Sequence, residues 1–149
     1  ALKNFEIVLI SAGAAKWKEI INITKLRNFK KKPIMMHCVS SYPLEKQNIN
    51  FPKFYKLRKL SKKIGYSGHF NGIDDAVIAI SLGASFVEKH FTINKNLPGR
   101  DNKFAILPND LKVLNEFRNN VSFMNIDRGL NVQKCEIDIF KNYRGRWSK

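Results

Sequence analysis

Residues 65–92 read GYSGHFNGIDDAVIAISLGASFVEKHFT, and this stretch decides the fold class. Residues 65–69 (GYSGH) have the length and composition of a short buried strand. Residues 74–82 (DDAVIAISL) then open on two acids and run on apolar, the pattern of a helix with negative charge in its first turn. Residues 84–92 (ASFVEKHFT) return to a strand pattern. Strand, helix and strand at this spacing form a βαβ unit, whose two strands lie parallel.

The same alternation extends upstream and downstream. Residues 6–11 (EIVLIS) form a strand-like run, followed by a helical pattern over about 15–29. Residues 33–41 (PIMMHCVSS) form another, followed by an extended loop and a helix over 53–63 (KFYKLRKLSKK), where Phe54, Leu57, Leu60 and Ile64 recur at helical period. After residue 92 comes a polar loop and a helix predicted from about Pro108 to Met124, with Asn109 or Asp110 as its N-cap. Four such units with parallel strands make half of a (β/α)8 barrel, which takes about 250 residues for eight. The structural alternative is a flavodoxin-like sheet, usually of five strands. Beyond residue 125 the pattern fades into a tail expected to be partly ordered.

The chain has 149 residues and a net charge of +15, from 27 Lys and Arg against 12 Asp and Glu. A hydrophobic share of 44% excludes an intrinsically disordered chain. No apolar run reaches the roughly 18–20 residues of a membrane span, and the opening residues lack the pattern of a signal peptide. Neither membrane association nor export is expected. Two cysteines, Cys38 and Cys135, make no disulfide framework and fit a reducing, cytoplasmic setting. Such basicity points first to nucleic acid. However, residues 1–64 carry +12 and residues 65–149 only +3, with the excess in 25–32 and 53–63. The second stretch places Lys and Arg opposite its apolar stripe, as a solvated helix face does. Lysines outnumber arginines 20 to 7, and no base-reading module is present, so no nucleic-acid partner is expected.

Polar residues gather where the strands end, the edge at which α/β folds place their sites. They are Ser11 with Gly13; Ser40, Ser41 and Tyr42; Ser67 and His69; and Glu88, His90 and Thr92. His69 and His90 end consecutive strands about 4.8 Å apart and can reach one divalent ion. Ser11, Ser40 and Ser67 can donate to a phosphate or carboxylate. Read from the residues alone, such histidines also serve packing, and such serines also serve turns and caps. His37 and Cys38, inside the second strand, read as packing residues. No GxxxxGK[ST], GxGxxG, CxxC or HExxH pattern occurs.

At these residues the chain resembles the sialic acid synthase family, which includes N-acetylneuraminate, legionaminate and pseudaminate synthases. The matching pieces are LISAG (9–13), MMHCVSSYP (35–43), residues 65–92 as a whole, NLPGRD (96–101) and the helix after LPNDL (107–111). The resemblance implies the C-terminal half of a catalytic (β/α)8 barrel over residues 1–126. Residues 127–149 resemble the linker towards an antifreeze-like (SAF) domain. It also implies a metal-dependent transferase of carbohydrate biosynthesis, forming a C–C bond between phosphoenolpyruvate and an N-acetylated sugar such as N-acetylmannosamine. His69 and His90 fall on the family's metal ligands, for Mn2+ or Mg2+. Ser11 and Ser67 fall on phosphate-holding positions, with Ser40 where an Asn is common. Tyr42 and Asp101 fall near the acceptor sugar, and Glu88 on the active-site carboxylate.

Three departures accompany the match. Ser67-Gly68-His69 stands where the family has Ser-Asp-His, and Pro98-Gly99-Arg100-Asp101 where Pro-Gly-Pro-Asp is common. The family's chain is also more than twice as long. The first barrel half and the SAF domain are expected from elsewhere, either from a chain supplying the missing half or from a homodimer partner. Without them the chain is expected to be an incomplete fragment or remnant, inactive alone.

Overall fold

Each strand grows from an apolar run and stops at small or polar residues. The computed structural model describes residues 4–26, 29 and 33–145. Within them β1 (Leu9–Ser11), β2 (Ile34–Cys38), β3 (Ile64–Gly68) and β4 (Phe86–Lys89) form one sheet in the order β1-β2-β3-β4. All three pairings are parallel, with Ser11 opposite Met36, Cys38 opposite Ser67 and Ser67 opposite Glu88. A doubly wound sheet reverses its strand order, whereas a barrel adds strands progressively. The progressive order here is that of a barrel, so the flavodoxin-like alternative falls.

The helices α1 (Trp17–Thr24), α2 (Phe51–Arg58), α3 (Asp74–Ser81) and α4 (Pro108–Met124) follow the four strands in turn. Most elements are shorter than their sequence patterns. The first predicted strand, 6–11, contracts to three residues and the fourth, 84–92, to four. Each lies at a sheet edge and has one neighbour, so fewer residues find ladder partners. The inner strands are buried throughout, while Leu9, Ser11 and Glu88 are exposed. Part of the helical pattern over 15–29 and of the basic stretch 25–32 lies outside the described residues.

The alternation of side chains sorts the sheet into two faces. Met35, Ile64 and Tyr66 join Phe54, Leu57 and Ala79 in the main core under the helices. His37 is fully buried on this side, with its ring 6.3 Å from Phe54 and 5.7 Å from Tyr66. It is a packing residue, as its place in the strand implied. A second cluster, Ala76, Ile80, Ile106 and Leu114, ties α3 to α4. On the other face a Cβ at Gly65 would meet the Met36 thioether and lie 3.2 Å from the Phe86 carbonyl, so the glycine gives Met36 its space. The α4 cap differs from the expected Asn109 or Asp110. The N-cap is Leu107, whose N–H donates to the Asp110 carboxylate at 2.9 Å. Pro108 has no N–H to lose at the first helical position, so the helix begins there.

Lys56, Lys59, Lys62 and Lys63 are exposed, as a solvated basic face requires. The tail holds a 3-10 turn (Lys134–Glu136) and a short helix, α5 (Ile137–Asn142), all exposed. Among the described residues no helix is long and apolar enough to cross a membrane.

Candidate active site at the strand ends

The parallel register delivers three groups of functional side chains to the C-terminal ends of the strands. The first surrounds Gly13. A Cβ at this glycine would meet Ser40 Oγ, Cys38 Sγ and Ser11 Oγ, so both predicted serines flank it. The Ser11 hydroxyl accepts from the Gly13 N–H at 3.2 Å. Lys53, from the first turn of α2, donates to the Ala12 carbonyl at 2.8 Å and brings a cation to this corner. The sequence placed Lys53 only within a basic helix.

The second group is a pair across β3 and β4. Ser67 donates to Glu88 Oε1 at 2.9 Å. The third, at the ends of the same strands, contains both candidate metal ligands. The rings of His69 and His90 have centroids 5.4 Å apart. Tyr42 lies 4.1 Å from the His69 ring and 5.9 Å from that of His90. Phe104 packs 5.2 Å from His90 and 6.2 Å from Tyr42. Asp101 Oδ2 lies 3.6 Å from His90 Nδ1, just beyond hydrogen-bond length. Tyr42, His69, His90 and Asp101, all inferred from sequence, therefore converge. Phe104 was missed, because a lone aromatic in a polar loop carries no period.

His69 is almost fully buried, and its Nδ1 lies 2.9 Å from the Val39 carbonyl. A carbonyl only accepts, so Nδ1 carries the proton and Nε2 keeps its lone pair for a ligand. This is the outer-shell arrangement common to metal-binding histidines. The donor set thus fits a divalent ion held by His69 and His90, with further positions left to water or substrate. Among the described residues no group of three or more His, Cys, Asp or Glu is arranged to hold a metal.

Behind β4, on the helix side, lies a buried ionic cluster. Lys89 donates to both oxygens of Asp75 at 3.0 Å and to the Phe70 carbonyl at 2.8 Å. Tyr66 donates to Asp75 Oδ2 at 3.0 Å. Burial pulls the Lys89 ammonium below the usual lysine range, and the charge of Asp75 opposes that. Burial, then the same carboxylate, pushes the Tyr66 phenol well up. The sequence assigned Asp74 and Asp75 alike to a helix start. Only Asp74 is exposed, in an ion pair with Lys46 at 2.8 Å.

A progressive parallel α/β sheet with an acid, serines and paired histidines at its carboxyl ends has the architecture of part of a (β/α) barrel, with its candidate site residues where such folds carry their sites. Residues 1–127 match the family model described as the NeuB family, and the chain belongs to that family. It is 35% identical over 112 residues to the N,N'-diacetyllegionaminic acid synthase of Campylobacter jejuni, covering 72% of this chain and 34% of that protein. It is also 35% identical to the N-acetylneuraminate-9-phosphate synthase of Drosophila melanogaster, over 72% of this chain and 30% of that one. The solved N-acetylneuraminic acid (sialic acid) synthetase of Leptospira borgpetersenii superimposes with a TM-score of 0.81 at 31% identity. The match covers 96% of this chain and 50% of that one. The chain therefore spans about a third of the length of these curated relatives.

Proposed function

We propose that this chain forms the metal-holding half of a nonulosonic acid synthase, condensing phosphoenolpyruvate with an N-acetylated aldose such as N-acetylmannosamine. The observation that carries the reading is the His69–His90 pair at 5.4 Å, with Nδ1 of His69 committed to Val39. The names of the two curated relatives, both synthases of this sugar-acid class, support the product class. In the overall change, C3 of phosphoenolpyruvate bonds to the aldehyde carbon and the aldehyde oxygen takes a proton. Water adds its oxygen to C2, and the C2–O bond to phosphate breaks, releasing phosphate and leaving a 2-keto acid.

The chain's own residues divide this work. Ser11 and Ser40 around Gly13, with Lys53 near by, hold the phosphate, and Ser67 supports it from the next strand. Glu88 keeps Oε2 free while Oε1 accepts from Ser67, so it can orient water or take a proton. Tyr42 and Asp101 border the acceptor sugar. A divalent ion on His69 and His90, Mn2+ or Mg2+, supplies Lewis-acid polarisation of the aldehyde oxygen. The two free thiols, Cys38 and Cys135, fit a cytoplasmic setting.

A second reading is favoured by the sheet edges. β1 and β4 each pair on one side only, and Leu9 is 43% exposed. An eight-stranded barrel needs four more strands, so on this reading the four described strands act only together with the rest of a barrel, or are a remnant that does not act. Phosphate release from phosphoenolpyruvate with N-acetylmannosamine and Mn2+ separates the two. The assay compares the chain alone with the chain joined to four preceding βα units of a relative. Turnover only in the joined form supports the synthase reading; silence in both, with the joined form folded, overturns it.

A further inference from the structure

The strand that carries Glu88 and leads into His90 is, like β1, supported on one side only. It has four residues, lies at an edge and pairs with β3 alone. Adjacent side chains on a strand point to opposite faces, so Lys89 projects away from its neighbours Glu88 and His90 into the helix layer. There its side chain is 4% exposed, and that of Asp75 is fully buried. The ammonium's three bonding partners lie on two different segments, Asp75 on α3 and the Phe70 carbonyl just after His69. One side chain thus ties the edge strand to the start of α3 and to the loop behind the other histidine. Asp75 is held in turn by Tyr66 of β3 and the Ala76 N–H, which donates to Oδ1 at 2.9 Å.

Position 68 completes the picture. A Cβ on Gly68 would run into the Asp75 carboxylate and lie 2.6 Å from the Tyr66 ring. The space of a residue-68 side chain is therefore already filled by the carboxylate of Asp75. A carboxylate can reach this pocket from the strand or from the helix, but not from both.

We infer that Asp75 is a positioning residue, acting through Lys89 to hold Glu88 of β4 and the following His90 in register with His69, and that it replaces from α3 a carboxylate on β3. The inference rests on the proposed metal site for its principal readout. A buried ion pair is weak evidence of stability as such. Its geometric consequence is specific, because three hydrogen bonds to two segments fix where β4 ends.

The test uses the 149-residue chain in three variants. Asp75→Asn removes the charge and keeps the shape. Asp75→Leu with Lys89→Met replaces the pair by apolar groups and leaves no orphan charge. Gly68→Asp with Asp75→Ala moves the carboxylate to the strand. Mn2+ affinity is read by titration, and the ring signals of His69 and His90 by NMR on metal-free protein, with circular dichroism reporting the fold. The first two variants are expected to weaken Mn2+ binding about tenfold and to displace the His90 signals with the fold retained, and the third to restore both. Unchanged affinity and signals in the folded apolar double variant overturn the inference. If the wild-type chain binds no Mn2+, the metal reading alone fails. The metal-free His90 signals then decide: displacement in Asp75→Asn and recovery in the relocated variant support the role, and constancy overturns it.

Discussion

His69 Nδ1 lies 2.9 Å from the carbonyl oxygen of Val39, across the β2–β3 boundary. The contact joins the end of one strand to the functional side chain of the next. It places the proton on Nδ1 and leaves Nε2 as the ring nitrogen open to a ligand. The backbone of β2 thereby sets the chemistry available at the end of β3.

If His69 and His90 are the two protein ligands, each is indispensable. His69→Ala and His90→Ala are both expected to abolish Mn2+ binding in isothermal calorimetry. Tyr42→Phe, which keeps the ring packed on His69, should bind as the wild type does.

Glu88 accepts from Ser67 through one oxygen only. In a completed barrel Glu88→Gln is expected to lower phosphate release about 10²–10⁴-fold, the range of a lost acid–base group, with Mn2+ affinity retained. Ser67→Ala should act more weakly, since it loosens the carboxylate without removing it. Steady-state rates with saturating phosphoenolpyruvate provide the check.

Gly68 has no room for a side chain beside Asp75 and Tyr66. Gly68→Ala is therefore expected to cost about 1–3 kcal/mol, as overpacking does. The expected readout is a lower urea midpoint. In an Asp75→Ala background the cost should shrink, because the colliding carboxylate is gone.

His37 is buried, and its Nε2–H donates to the Ile49 carbonyl at 2.7 Å, while Nδ1 has no partner. Burial is the main reason its affinity for a second proton lies below the ordinary value of 6.5, with Lys53 adding to the effect and the Ile49 bond opposing it. The unfolded chain then binds more protons than the folded one as pH falls below about 6.5. The contribution is present above that value and lost towards the depressed folded pKa. Urea midpoints should fall between pH 7 and 5, and His37→Gln should flatten the fall.

Much of this was legible in the sequence, and the rest fails to show there for identifiable reasons. Short runs marked the four strands and a helical period marked the helices, because a strand buried on both faces has no alternation while a helix buries one stripe. The sequence pattern overstated the edge strands, since pairing depends on neighbours that a local pattern does not contain. It misplaced the α4 cap, because Pro108 took the first helical position ahead of Asn109 and Asp110. Strand-end logic named Tyr42, His69 and His90 and the family resemblance added Asp101, and these four come together although residues 42 and 101 lie far apart along the chain. Phe104 and Lys53 were not found, since their contacts with His90, Tyr42 and Ala12 join residues far apart in sequence.

The sequence by itself determined the parallel α/β architecture, the residues at the strand ends and the family resemblance. These depend on local periodicity and on residue identity. Only the tertiary structure decided which of those residues meet, and which of two adjacent aspartates is buried. Asp74 and Asp75 look alike in DDAVIAISL, yet one faces water and Lys46 while the other is enclosed with Lys89. The difference is one helical step of about 100°, which carries Asp75 from solvent to the space left open by Gly68.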